Sequence, residues 1–259
     1  MRITTLASGS SGNCTAVSTD SGSLLIDAGI SMRRIKTGLA RLGLAPENLG
    51  GILITHEHSD HVSGLPMLIK HYNIPIFAPR TVANHLRWSL AGVEERLREI
   101  IPGENTPISG MTVRAFHTPH DTDESVGYRI EGDCIFALAT DMGCVTEEIL
   151  GGVMGADAVV IESNHDEQML RYGNYPYRLK RRILSDRGHL SNDACAAFAR
   201  ILAENGTRYI VLGHLSRENN DPSVAFRTVA GALEGLDVSL SVAPAAEPLD
   251  LVVERSVCT

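Results

Sequence analysis

The sequence predicts an α/β fold in which two β-sheets pack together beneath outer helices. Three observations carry this reading. Short runs rich in Ile, Val and Leu are bounded by Gly, Asp or Pro, helix-like stretches enter only after several strands, and the same order returns after residue 105. A chain of 259 residues suffices for one large domain. With no low-complexity linker, tandem repeat or break in composition, a single domain over 1–259 is the expectation.

Taken in order, Arg2-Ile3-Thr4-Thr5-Leu6 is strand-like, and Ser8-Gly9-Ser10-Ser11-Gly12-Asn13 reads as a loop. Its backbone either approaches a metal or a substrate phosphate, with Ser11 and Asn13 as contacts, or forms a hairpin turn. Strand 23–26 ends at Asp27 and is followed by a helix around 31–43. Strand 51–55 runs into His56, and a helix is expected around 80–90. Strands at 112–116, 134–138 and 158–161 come next, then a helix spanning 166–183. Ser191-Asn192-Asp193 supplies capping chemistry for a helix over 191–204, and Asp221-Pro222 does so for one over 222–234, after strand 209–212. Four strands lead towards polar residues, namely His56, His120, Asp141 and His214. Their ends should therefore converge on one rim.

A hydrophobic fraction of 43% with 21% charged residues excludes a disordered or fibrous chain. No apolar run approaches a membrane span, and the first residues do not resemble a signal peptide, so a cytoplasmic protein without membrane attachment is expected. Five scattered cysteines, Cys14, Cys134, Cys144, Cys195 and Cys258, form no Cys-x-x-Cys pair and read as reduced thiols. The net charge of −8 does not by itself suggest nucleic-acid binding, but ten histidines are many. Bound divalent cations would offset part of that charge locally.

Three of those histidines share one six-residue segment. His56-Glu57-His58-Ser59-Asp60-His61 places three imidazoles and a carboxylate in one short segment, and these are the ligands of zinc and similar borderline metals. One ion cannot use all four groups, so two metals are expected, with further ligands from later strand ends. His117 and His120 both lie in Phe116-His117-Thr118-Pro119-His120-Asp121, and spacing does not choose between them. Two ions about 3.5–4 Å apart would share a water, lower its pKa and present hydroxide to a phosphodiester. Asp27 either receives a ligand imidazole's second N–H or is a turn carboxylate. Glu162 and His189 lie at further predicted ends; His189 would contact the scissile phosphate or protonate the leaving oxygen, with Glu162 orienting it. The segment 171–187 reverses the chain's charge with Arg171, Arg178, Lys180, Arg181, Arg182 and Arg187, interleaved with Tyr172, Tyr175 and Tyr177. It is either a nucleic-acid contact, with Arg178, Lys180 and Arg181 as substrate-binding candidates, or a solvated helix face.

The metal loop resembles that of the metallo-β-lactamase superfamily. Beyond it, LASGSSGNC (6–14), ITHEHSDH (54–61), HDTDESVGY (120–128), ATDMG (139–143), IESNHDEQML (161–170), GHLSN (188–192) and LGHLSRENN (212–220) together resemble the YycJ family, also called WalJ or VicX. The resemblance implies an αββα sandwich and a metal-dependent exonuclease that degrades DNA from the 5′ end. It favours His120 over His117. It also implies that His56, His58 and His120 hold one metal and Asp60, His61 and His214 the other, with Asp141 bridging. Zinc and manganese both suit such ligands. Asp60, His189 and Glu162 are the catalytic candidates. The chain departs from the family in the acidity of Asp121-Thr122-Asp123-Glu124. Class B β-lactamases use a Cys ligand where this chain has Asp60-His61, and the interval from Asp141 to His214 leaves no room for the inserted domain of β-CASP nucleases. A ribonuclease Z-like enzyme and a glyoxalase-like thioester hydrolase, which share the ligand set, are the alternatives.

Overall fold

The computed structural model describes residues 1–254. The first half supplies β1 (Arg2–Ala7), β2 (Cys14–Thr19), β3 (Gly22–Ile26), β4 (Leu49–Leu53), β5 (Ile76–Ala78) and β6 (Leu97–Glu99). Among them lie α1 (Met32–Arg41), α2 (Ser59–Val62), α3 (Leu65–His71) and α4 (Arg80–Ser89). The second half supplies β7 (Asn105–Ile108), β8 (Met111–His117), β9 (Val126–Glu131), β10 (Ile135–Ala139), β11 (Ala158–Glu162), β12 (Tyr209–Gly213), β13 (Ser239–Val242) and β14 (Leu249–Val252). Its helices are α5 (Glu147–Val153), α6 (Glu167–Tyr172), α7 (Tyr177–Ile183), α8 (Asn192–Glu204) and α9 (Pro222–Ala232).

These strands make two seven-stranded sheets, ordered β14-β1-β2-β3-β4-β5-β6 and β13-β12-β11-β10-β9-β8-β7. β14 crosses from the second half to pair with β1, Arg2 opposite Val252, so the last described strand closes the first sheet. Each sheet joins an antiparallel part to a parallel one: β3 to β6 run parallel in the first, β10 to β13 in the second. Ligands of open α/β sheets gather at the carboxyl ends of parallel strands. Asp27, His56, Asp141, Glu162 and His214 all lie at or just beyond such ends.

Residue alternation explains the layers. Ile3, Val17, Leu24, Ile26 and Leu53 of the first sheet meet Val113, Tyr128, Phe136, Val160 and Val211 of the second in one buried cluster. Their neighbours point the other way: Leu25 and Ile52 pack beneath Ile35 and Leu39 of α1, Leu68 of α3 and Leu86 of α4. Val159, Ile161 and Ile210 pack beneath Ile149 of α5, Phe198 of α8 and Val229 of α9. Central strands are buried on both faces, which is why they read as continuous apolar runs. The layers are therefore helix, sheet, sheet, helix, the αββα sandwich implied by the resemblance.

The expected helix over 166–183 is two helices. Gly173 and Pro176 separate them, and a Cβ at Gly173 would lie 2.6 Å from the Met169 carbonyl oxygen. Proline cannot supply the N–H that a continuous helix needs there. The two predicted caps are present: Ser191 Oγ accepts from Ala194 N at 3.2 Å, and Asp221 Oδ1 from Ser223 N at 2.8 Å. The short α3 and α5 and the edge strands β13 and β14 escape the sequence reading, since few residues define their period. Cys14, Cys134, Cys144 and Cys195 are free thiols; Cys258 lies outside the described residues. No helix among the described residues is long and apolar enough to cross a membrane.

Candidate metal centre

Three site residues leave their strands in the left-handed backbone region: Asp27 at φ 59°, Asp141 at φ 57° and His214 at φ 55°. This conformation costs a non-glycine residue about 1–2 kcal/mol, and Asp and His are among those that adopt it most readily. The turn takes each side chain off the sheet surface and onto the rim. Gly29 admits the metal loop: a Cβ there would lie 1.6 Å from the Asp60 carbonyl oxygen, which accepts Asn13 N at 2.8 Å. Thr55, which sequence reasoning passed over, accompanies His56 and His61 into the site. Its hydroxyl donates to Asp27 and lies 3.0 Å from His56 Nδ1 and 3.1 Å from His61 Nδ1.

The six histidine and aspartate positions expected to be ligands, together with Asp141, gather at one place. His56, His58 and His120 offer ligand atoms within 4.8 Å of one another, and so do Asp60, His61 and His214. His56 Nε2 is 3.0 Å from His58 Nδ1, and the rings of His56 and His58 lie 5.1 and 5.2 Å from that of His120. Asp141 stands between the sets, with Oδ1 3.7 Å from His120 Nε2 and Oδ2 3.4 Å from His61 Nε2. Its Oδ1 also lies 3.5 Å from His214 Nδ1, so both sets meet at this carboxylate. His117 does not join them; half exposed, it pairs with Glu148 at 2.9 Å and Glu124 at 3.5 Å.

The donor set fits divalent cations. His214 Nε2 and Asp141 Oδ2 are buried without any hydrogen-bond partner, although such atoms are normally paired. His120 Nδ1 lies 3.2 Å from the Gly188 carbonyl and His61 Nδ1 2.7 Å from Asp27, leaving each Nε2 towards the cluster. Burial and the neighbouring imidazoles hold His56 well below the ordinary histidine range, keeping it neutral as a ligand must be. Burial also opposes charge on His61, but Asp27 and Asp141 outweigh it and raise this imidazole to about 10. A field that holds a proton so firmly also suits a cation. Asp141, Glu162, His189 and His214 form another close group. Glu162 is a poor ligand within it, because Oε1 already accepts from two imidazoles and Oε2 from two backbone amides.

Asp27 is therefore the outer partner of His61 and not a turn carboxylate alone. Asp27→Asn is expected to weaken metal binding by ~10–100-fold, the usual loss when such a partner is removed. Competitive titration against a chromogenic chelator measures it, and unchanged affinity would show that Asp27 only braces Thr55.

Glu162 lies at the very end of β11, fully buried. Its Oε1 is 2.8 Å from both His189 Nδ1 and His214 Nδ1, while Met142 N and Leu190 N reach Oε2 at 2.8 and 3.3 Å. Burial opposes its ionisation, but these two histidines outweigh it and hold the carboxyl well below its usual range. Glu162 in turn overcomes the effect of burial on His189 and raises it. The His189 side chain remains 20% exposed, at the edge of the cluster.

The substrate-contact residues are placed less uniformly. Asn13 is buried, with Nδ2 3.0 Å from His61 Nε2 and 3.3 Å from Asp60 Oδ2, so its amide braces the metal loop instead of opening to a substrate. Lys180 Nζ donates to the carbonyls of Arg171 and Gly173 at 2.8 and 2.7 Å, closing the end of α6. Arg178 and Arg181 are exposed on α7, and Ser11 is exposed with Oγ accepting from Arg217 at 2.6 Å. Arg182 pairs with Asp121, and Arg187 donates to the carbonyls of His120 and Thr122 at 2.8 and 2.6 Å. Two arginines of the basic segment thus clamp the acidic loop that carries His120. Only their place in a basic run could have suggested this.

Residues 23–215 match the family described as "Beta-lactamase superfamily domain". The chain is 40% identical over 242 residues to Exodeoxyribonuclease WalJ of Streptococcus pneumoniae serotype 2 strain D39, covering 92% of this chain and 90% of that protein. It is 38% identical over 237 residues to Exodeoxyribonuclease YycJ of Bacillus anthracis, covering 90% and 89%. Among solved structures, the metallo-beta-lactamase fold protein YhfI from Bacillus subtilis has the same fold, with a TM-score of 0.71, 15% identity and coverage of 96% of this chain and 99% of that one. The chain belongs to the beta-lactamase superfamily and, within it, to the WalJ and YycJ family.

Proposed function

We propose that the chain is a metal-dependent phosphodiesterase that degrades nucleic acid, DNA in preference to RNA, from the 5′ end. His56, His58 and His120 would hold one divalent ion and Asp60, His61 and His214 a second, with Asp141 between them; zinc and manganese both suit these donors. Two such ions would supply a water of lowered pKa as nucleophile and would neutralise charge on the phosphoryl oxygens. The chain's own residues do the rest. Asp60, partly open at the rim, orients that nucleophile by hydrogen bonding. His189 contacts the scissile phosphate or gives its proton to the leaving oxygen, and Glu162 fixes the ring through Nδ1 so that Nε2 faces outward. Arg178, Arg181 and exposed Tyr172 and Tyr177 offer charge and stacking surfaces to the strand, with Ser11 on the opposite loop.

The observation that carries the reading is Glu162, one buried carboxylate that holds a histidine of the cluster and a histidine outside it at 2.8 Å each. That arrangement supports a proton-transfer role for His189 beside the ligand cluster. The names of the two bacterial relatives supply DNA and exonucleolytic cleavage. The free thiols suit a cytoplasmic protein. Metal-loaded protein is to be incubated with 5′-labelled duplex DNA, labelled RNA and lactoylglutathione. Rapid release of short labelled product from DNA is expected; turnover of the thioester alone would refute the reading in favour of a glyoxalase-like hydrolase.

A further inference from the structure

A cavity of about 400 Å³ opens beside the metal centre, between the 215–222 segment and residues 242–245. Leu215, Pro222, Val242, Ala243, Pro244 and Ala245 give it a largely apolar lining. It begins one residue beyond His214, and Ser8, which also lines it, accepts the His214 N–H at 2.8 Å. Ser216 belongs both to this cavity and to a smaller one of about 160 Å³ that holds His189, Arg182, Tyr175 and Ser10. Taken together as a trough, the two chambers share Ser216 in their walls; the inner part carries His189 and Arg182 beside Leu179 and Ile183, and the outer part is mainly apolar.

We infer that this trough receives one nucleotide, its phosphate in the inner chamber and its base in the outer one. The inference rests on the phosphodiesterase reading and adds the subsite. A phosphate needs cationic and hydrogen-bonding groups, which His189 and Ser10 provide beside Arg182, whose Nε is held by Asp121; a base needs flat apolar walls and exclusion of water. The polar groups at the outer chamber are largely engaged elsewhere. Asn220 Nδ2 donates to Ser163 and Asn164 carbonyls, its Oδ1 accepts from Asn192 and Asp221 N, and Arg217 donates to Ser11. A wall with few free donors and acceptors reads shape and not base identity. The four bases should bind within a few-fold of one another, as a nuclease without sequence preference requires. The outer chamber accommodates an unpaired base, so the terminal nucleotide leaves its duplex before it is cut.

The test uses metal-loaded full-length protein and calorimetric titration with thymidine 5′-monophosphate and with inorganic phosphate. The wild type is expected to bind the nucleotide at least tenfold more tightly than phosphate. Ala245→Trp, which fills the outer chamber, should bring nucleotide binding down to the phosphate level and leave phosphate binding unchanged. Ala245→Leu provides the same comparison with a smaller intrusion if the tryptophan variant fails to fold. Equal affinity of the wild type for nucleotide and phosphate would overturn the inference, and so would undiminished nucleotide binding by the folded variants. A wild type that binds the nucleotide as expected but cleaves neither DNA nor bis(p-nitrophenyl) phosphate removes the phosphodiesterase reading and keeps the subsite. One that cleaves DNA but binds nucleotide no better than phosphate removes the subsite and keeps the reading.

Discussion

His189→Ala is expected to lower kcat on DNA by ~10²–10⁴-fold, the range for loss of a positioned proton donor or acceptor, with metal content unchanged. The separation follows from geometry: His189 Nδ1 is committed to Glu162 at 2.8 Å and lies 3.9 Å from Asp141, so the ring stands at the edge of the ligand sets. Single-turnover cleavage of 5′-labelled DNA gives the rate, and elemental mass spectrometry gives the metals per chain. If metal and activity fall together in proportion, His189 is a ligand and the assigned role is wrong. Glu162→Gln extends the test. It retains the shape but removes the charge that both His189 and His214 face, so it should lower the rate and weaken metal retention together.

Asp141→Ala is expected to abolish binding of at least one ion and reduce activity by more than the ~10–100-fold typical of losing an outer partner. Asp141 is the carboxylate at which both ligand sets meet, with His120 on one side and His61 and His214 on the other. Alanine at φ 57° also lacks the short polar side chain that helps aspartate tolerate this conformation, so backbone strain rises. Asp141→Asn separates the effects, because asparagine tolerates that conformation but supplies no negative charge. Near-normal thermal stability with lost metal is expected for the asparagine variant. Two bound ions and full activity in Asp141→Ala would exclude the bridging position.

The short loop 56–61 was the most legible part of the site because its ligand atoms are close along the chain, where residue chemistry alone makes them visible. His120, Asp141 and His214 were legible at one remove, as polar residues at the ends of apolar strands. For Asn13 and Lys180 the residue types suit a phosphate, but only the three-dimensional neighbours show that the Asn13 amide and two of the three Lys180 N–H groups have partners within the chain. The break between α6 and α7 was written in Gly173 and Pro176 but hidden by the basic pattern that runs through both.

By itself, then, the sequence determined the layers, through strand periodicity and apolar runs, and the chemistry of the metal-binding loop. Only the tertiary structure decided that Asp141 meets both sets, that Glu162 serves two histidines at once, and that Arg182 and Arg187 clamp the loop bearing His120. Those relations join residues from separate strands and loops. They depend on the register of the strands and on the sharp backbone turns at Asp27, Asp141 and His214, which fix directions that spacing along a chain does not encode.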